Sequence, residues 1–256
     1  MSKLQILKTI SRSTVGRLNI YMPHAKNKPN NIMSDMVFLT PSKGHPFLQL
    51  QQDIICKLFP ESLSIVVDTT TKWPMKWWDW IKLARESGKK YYTHIDEDCF
   101  LLDRRQVINT ARLLNTYDLI GTPDGGVPYR NDMNNVAMNS FFMMGRVENL
   151  QDIKDVLKVK NLRFDPSTHP ARANVTHKGS KPNFEPYYGF FWYLLNNNKR
   201  FKYLDVRLDE RFASSNPRLD NDSPDICMHM WYSRSWRQHE ARYNAAKIHL
   251  QQLHQL

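Results

Sequence analysis

A chain of 256 residues, 41% hydrophobic and 24% charged, is long enough for one sizeable α/β domain or two small ones. Its apolar runs fall short of the roughly 20 residues that span a bilayer, and three scattered cysteines, Cys56, Cys99 and Cys227, suit a reducing cytoplasm better than a disulfide scaffold. The formal charge of +11 points to a polyanionic partner: nucleic acid, an acidic membrane face or a phosphorylated substrate.

Residues 1–34 contain no Asp or Glu and carry Lys3, Lys8, Arg12, Arg17, Lys26 and Lys28. That composition is transit-peptide-like. Residues 18–22 nevertheless read as a short strand, so a basic, partly ordered arm is expected; no apolar h-region of a secretory signal follows the first lysine. Residues 36–40 form a strand closed by Pro41 and Gly44. Pro46 opens a helix to about residue 58, with Phe47, Leu50, Ile54 and Leu58 on one face. Residues 63–68 form the next strand, followed by a Thr-rich loop. A helix over 77–86 is stopped by Gly88. Residues 91–95 make a third strand, 104–114 a helix and 118–121 a fourth strand. Beyond these, 122–135 reads as a loop, 138–144 as an apolar strand and 165–183 as a long loop. Pro186 starts an aromatic helix that runs to 195. Residues 212–223 read as a loop, and 236–256 as a basic amphipathic helix suited to a membrane face.

Strands and helices alternating through short connections mark an α/β fold with a doubly wound sheet, whose ligands bind beyond the carboxyl ends of the strands. Thr40, Asp68 and Asp96 fall at such ends. The most informative stretch is Tyr91-Tyr92-Thr93-His94-Ile95-Asp96-Glu97-Asp98, a β-favouring run that delivers three carboxylates to its tip. Carboxylates are costly to bury alone. Asp96 and Asp98 share a face because side chains repeat every second residue, and paired oxygen ligands suit Mg²⁺ or Mn²⁺ holding a phosphate group.

At this motif the chain resembles the nucleotide-sugar glycosyltransferases of the GT-A fold, a resemblance of pattern over residues 36–231. It implies a Rossmann-like mixed sheet flanked by helices in one domain, 35–235, with a nucleotide-binding half (35–121) and an acceptor half (122–235). The basic arm 1–34 precedes this domain and the basic helix 236–256 follows it. By the resemblance, Thr40, Pro41 and Asp68 hold the nucleoside, and Asp96 and Asp98 hold the metal and the ribose or diphosphate; Glu97 is the ligand in an alternative register. Asn139, opening an apolar strand, faces the donor sugar. His229, in Asp225-Ile226-Cys227-Met228-His229-Met230-Trp231, is the third metal ligand.

Arg130 and Lys178 would help neutralise the leaving diphosphate, and Asp124 with Gly125-Gly126 would flank the sugar. If the reaction inverts, Glu185 ahead of Pro186 would take the acceptor's proton; retention needs no such base. The expected activity is thus metal-dependent transfer from a UDP-sugar, in a cytoplasm that is the host's if the protein is viral. The charge favours DNA carrying hydroxymethylated pyrimidines, as some bacteriophages make, and a glycan or lipid-linked acceptor with peripheral membrane contact is the alternative. Trp73, Trp77, Trp78 and Trp80, interleaved with Lys72, Lys76, Lys82, Arg85, Lys89 and Lys90, suit nucleic acid, although Trp77 and Trp80 share a helical face with Ile81 and Ala84 that reads as core, which leaves Trp73 and Trp78 to point elsewhere and stack on a base or sugar. A metal-dependent nucleotidyltransferase, or a nucleic-acid-binding module with structural carboxylates, would share these features.

Overall fold

A computed structural model of the chain describes residues 19–21, 31–70, 78–127, 130, 133–165, 183–231 and 233–256. The described strands are β1 (Asn19–Tyr21), β2 (Met36–Ser42), β3 (Leu63–Asp68), β4 (Tyr91–Ile95), β5 (Cys99–Leu101), β6 (Leu119–Pro123), β7 (Met138–Arg146), β8 (Phe201–Tyr203), β9 (Asp205–Asp209), β10 (Ser214–Arg218) and β11 (Cys227–Met230). Six α-helices are described: α1 (Leu48–Leu58), α2 (Asp79–Glu86), α3 (Arg104–Arg112), α4 (Val156–Lys160), α5 (Tyr188–Asn196) and α6 (Glu240–His254).

Seven strands form one sheet in the order β1-β3-β2-β4-β7-β6-β8. β2 pairs in parallel with β3 and β4, whereas β7 runs antiparallel to both β4 and β6. The sheet is therefore mixed rather than wholly parallel. Between β6 and β7 the described residues of 124–137 carry the short 3-10 helix Asp124–Gly126 and, among them, no α-helix, and the chain turns back beside the strand it has just left. Every residue of β2 is buried. Met36 and Phe38 enter one apolar cluster with α1, α3 and α6, while Val37 and Leu39 enter another with α2 and α5. A strand covered on both faces reads as an unbroken apolar run, which is why it was legible.

Residues 212–223, expected to be a loop, instead contain β10, the third strand of a second sheet ordered β5-β11-β10-β9. Ser214, Ser215, Asn216 and Pro217 are poor strand formers by propensity. They are held extended by pairing with β9 on one side and β11 on the other, and the Asn216 amide donates to Asp225 at 2.8 Å. The C-terminal helix α6 is fastened to the body: Tyr243, Ala246, Leu250 and His254 are buried, and Lys57 Nζ donates to the Gln255 carbonyl at 2.9 Å. Those four residues pack internally, while Ile248 and Leu253 of the same helix stay exposed. Among the described residues no helix is long and apolar enough to cross one.

Trp78, expected to point away from the core, is buried with Trp80 on α2, while Trp73 and Trp77 lie outside the described residues. The described cations of that stretch are tied to local partners: Arg85 to the Ile153 carbonyl, Lys89 to the Ser34 carbonyl and Lys90 to Asp35, with Lys82 near Glu86. They secure α2 and the start of β4 rather than forming a free basic face. Gly88, at φ +69°, gives the left-handed turn that ends α2.

His94 on β4 is fully buried beside Trp80, and its Nδ1 lies 2.7 Å from the Ser140 carbonyl. Burial pulls its pKa down to about 3, partly offset by that hydrogen bond. The imidazole folds neutral, so the unfolded chain binds a proton near pH 6.5 that the native state refuses. Stability from this group is complete above about pH 6.5 and declines as the pH falls, by roughly 2 kcal/mol at pH 5. Denaturant titrations at pH 7 and pH 5 should show that loss in the parent and a smaller one in His94→Asn.

Candidate metal centre and cleft

β4 ends at Ile95, and the chain then crosses to the second sheet through a tight turn. The Asp96 amide donates to the Phe141 carbonyl of β7, and the Cys99 amide donates back to the Asp96 carbonyl at 3.0 Å. β5 follows immediately and pairs with β11, setting Cys99 opposite His229. The Met230 amide donates to the Asp98 carbonyl at 3.1 Å. Backbone pairing therefore carries a histidine from late in the chain onto the acidic turn.

The ligand atoms of Asp96, Asp98 and His229 all lie within 4.8 Å of one another, the one such group among the described residues. Donors on opposite sides of a divalent ion stand about 4–5 Å apart, so the set fits Mg²⁺ or Mn²⁺ with minor adjustment. His229 Nε2 lies 3.5 Å from Asp98 Oδ1. Its ring stacks on Phe141 with centroids 4.2 Å apart and meets the edge of Trp231 at 4.5 Å. Its Nδ1 is buried without a hydrogen-bond partner, so the ring is oriented by aromatic packing and keeps lone-pair capacity for an ion.

The middle carboxylate faces another way. Glu97 accepts from Ser42 Oγ at 2.5 Å and from the His45 amide at 2.9 Å, and the group that could hold an ion comprises Asp96, Asp98 and His229 without it. The turn's backbone is pinned from beneath by Gln51, whose amide nitrogen donates to the Asp96 carbonyl at 2.6 Å and to the Cys99 carbonyl at 3.2 Å. Gln51 and its neighbour Gln52 are fully buried. The sequence signal was available: two adjacent amides on a helix face otherwise occupied by Leu50 and Ile54.

Asp96, Asp98 and His229 line a cleft of about 860 Å³. Lys43, Gly44, His45 and Pro46 contribute one stretch of its lining, Glu185, Pro186 and Tyr187 another, and Trp231 and Trp236 a third. Of the residues singled out from the sequence, Pro41, Asp96, Asp98, Arg130, Asn139, Glu185 and His229 reach this cleft. Thr40 does not: it is fully buried, and its hydroxyl donates to Gln51 at 3.3 Å. Thr40 faces inward, and Ser42 two residues later reaches the strand end. Asp68 is also absent from the lining, because its carboxylate caps its own turn by accepting from the Thr70 amide and hydroxyl. Lys178 lies outside the described residues.

Asp124 is fully buried and touches no cleft volume, so it is an anchor and not a reacting group. Both its oxygens accept from Arg130, and it also accepts from Asn139 Nδ2 at 2.7 Å and the Tyr188 hydroxyl at 2.5 Å. Gly125 is required there: a Cβ would stand 2.2 Å from the Met133 carbonyl oxygen. Arg130 in turn donates to Glu185 at 2.5 Å. Arg130, which also lines the cleft, thus bridges Asp124 and Glu185. Burial opposes the guanidinium charge, but the Asp124 hydrogen bond and the surrounding negative groups hold its pKa above the ordinary value. Burial, then the charge of Asp124, pushes the hydroxyls of Tyr187 and Tyr188 upward, so both stay protonated.

Asp124→Asn should lower the unfolding free energy by about 3 kcal/mol, because it breaks a buried pair and leaves Arg130 undercompensated. A denaturant midpoint equal to the parent's would refute this anchoring.

No family model and no curated protein matches the chain. Among solved structures, the crystal structure of A197 from STIV aligns with a TM-score of 0.42 at 15% identity, spanning 76% of this chain and 93% of that one. A likeness that faint carries neither fold nor activity across.

Proposed function

We propose that this protein is a metal-dependent glycosyltransferase that moves a sugar from a nucleoside-diphosphate donor, UDP-sugars first among them, to a polyanionic acceptor. The observation that carries this reading is the convergence of Asp96, Asp98 and His229 within 4.8 Å on the lining of a cleft of about 860 Å³, a volume suited to a substrate of nucleotide size. Those three residues would hold Mn²⁺ or Mg²⁺, which when bound neutralises the charge that builds on a departing diphosphate.

The remaining roles fall to the chain's own side chains. Pro41 and the Lys43–Pro46 stretch border the donor beside the acidic turn, and Tyr187, Trp231 and Trp236 supply aromatic surface for a base or sugar ring. Glu185, held by Arg130, is the carboxylate that would accept the acceptor's proton in an inverting reaction. Asn139 borders the sugar with its amide fixed between Asp124 and the Phe141 backbone.

The acceptor assignment rests on charge. The described residues carry nearly balanced charge, and the basic excess falls in three sequence segments: 1–30, 71–77 with Lys72 and Lys76, and 166–182 with Arg172, Lys178 and Lys181. Thr69, just before the second segment, and Phe184, just after the third, both line the cleft. An anionic polymer such as DNA with hydroxymethylated bases suits that distribution better than a neutral glycan.

Asp98→Asn should abolish Mn²⁺-dependent UDP binding in calorimetry while leaving the thermal melt nearly unchanged; binding like the parent's would sink the site assignment. Donor-hydrolysis assays should respond to a UDP-sugar, whereas turnover of nucleoside triphosphates alone would favour a nucleotidyltransferase instead. Affinity for DNA should fall at least about tenfold between about 50 and 200 mM salt, and salt-indifferent binding would remove the polyanion.

A further inference from the structure

Three consecutive carboxylates occupy one turn, and two of them form the cation group. The third, Glu97, reaches across to the neighbouring strand end, where β2 and β4 run in parallel. Its carboxylate accepts from Ser42 Oγ at 2.5 Å, from the Lys43 amide at 3.1 Å to each oxygen, and from the His45 amide at 2.9 Å. Gly44, at φ +82°, bends the chain so that both amides point the same way, and its own amide donates to Ser42 Oγ at 3.0 Å. The segment is thus wrapped round a carboxylate of the acidic turn. Lys43, Gly44, His45 and Pro46 are the same residues that line the cleft beside Asp96 and Asp98.

We propose that Glu97 is a positioning residue: it fastens the 42–46 segment to the acidic turn, so that this stretch of cleft lining and the Asp96–Asp98–His229 group move as one unit. A ligand spanning both, the nucleoside diphosphate of the function proposed above on which this part rests, meets them at a fixed separation. Glu97 itself ligates no cation. The four hydrogen bonds to it come from one short segment and are charge-assisted, which makes them stronger and more directional than neutral ones. They replace solvent around a charge that its two neighbours would otherwise destabilise.

The test compares the full chain with Glu97→Ala, Glu97→Gln and Asp98→Asn, using Mn²⁺ alone, UDP with Mn²⁺, and hydrogen exchange of the 42–46 amides. In Glu97→Ala the Mn²⁺ affinity should stay within about twofold, UDP–Mn²⁺ affinity should fall about tenfold or more, and exchange at 42–46 should accelerate at least about tenfold. Glu97→Gln, which keeps an acceptor oxygen, should recover most of both losses, while Asp98→Asn should lose Mn²⁺ itself. Mn²⁺ binding that collapses in Glu97→Ala as in Asp98→Asn would make Glu97 a ligand and overturn the proposal. So would unchanged exchange at 42–46, or UDP affinity equal to that of a UDP-binding parent. A parent that binds Mn²⁺ but not UDP removes the nucleotide reading alone, and amide exchange then decides the role of Glu97.

Discussion

Three negative charges in one tight turn are the constraint around which the cleft is organised. Asp96 and Asp98 hold ligand atoms within 4.8 Å of one another, where two like charges repel by on the order of 3 kcal/mol at an effective dielectric of about 20. The turn survives because its backbone is over-determined: Phe141 takes the Asp96 amide, Met230 donates to the Asp98 carbonyl, and Gln51 caps two carbonyls from below. Glu97 is hydrogen-bonded separately by the 42–45 segment. Repulsion is thereby confined to the pair facing His229, which is the arrangement that a cation relieves.

That turn is also the joint between the two sheets. β4 belongs to the large sheet and β5 to the small one, so the acidic residues sit where the chain changes layer. The small sheet brings His229 within reach, since β11 pairs with β5 one residue beyond Asp98. Of its aromatic neighbours, Phe141 lies on β7 of the large sheet and Trp231 directly follows β11 of the small one. The site thus depends on pairing between segments more than a hundred residues apart, and weakening β10 or β11 would displace a ligand without touching an acidic residue.

These details explain what the sequence disclosed and what it hid. β2, β3 and β4 were legible because they are covered on both faces and need continuous apolar runs. Asp96, Asp98 and His229 could be named because carboxylates and a histidine beside buried strands have few structural excuses. β10 was hidden because Ser214-Ser215-Asn216-Pro217 takes its conformation from its partners, not from its own propensity. Thr40 and Asp124 were misplaced for a related reason. The sequence gives the strand end but not the side of the sheet to which a polar group turns, and both are consumed in buried hydrogen bonds. Trp78 failed the same way, since one residue of helix phase separates a stacking platform from core.

The charge of the cleft makes its own demand on any anionic substrate. Its described lining carries Asp96, Glu97, Asp98 and Glu185 against Lys43 and Arg130, and Arg130 is already engaged by Asp124 and Glu185. By its charge balance alone that described lining disfavours a bare diphosphate, in contrast to the strongly basic chain as a whole. Under the proposed function, binding of a nucleoside diphosphate there would follow, or accompany, binding of a cation to Asp96, Asp98 and His229.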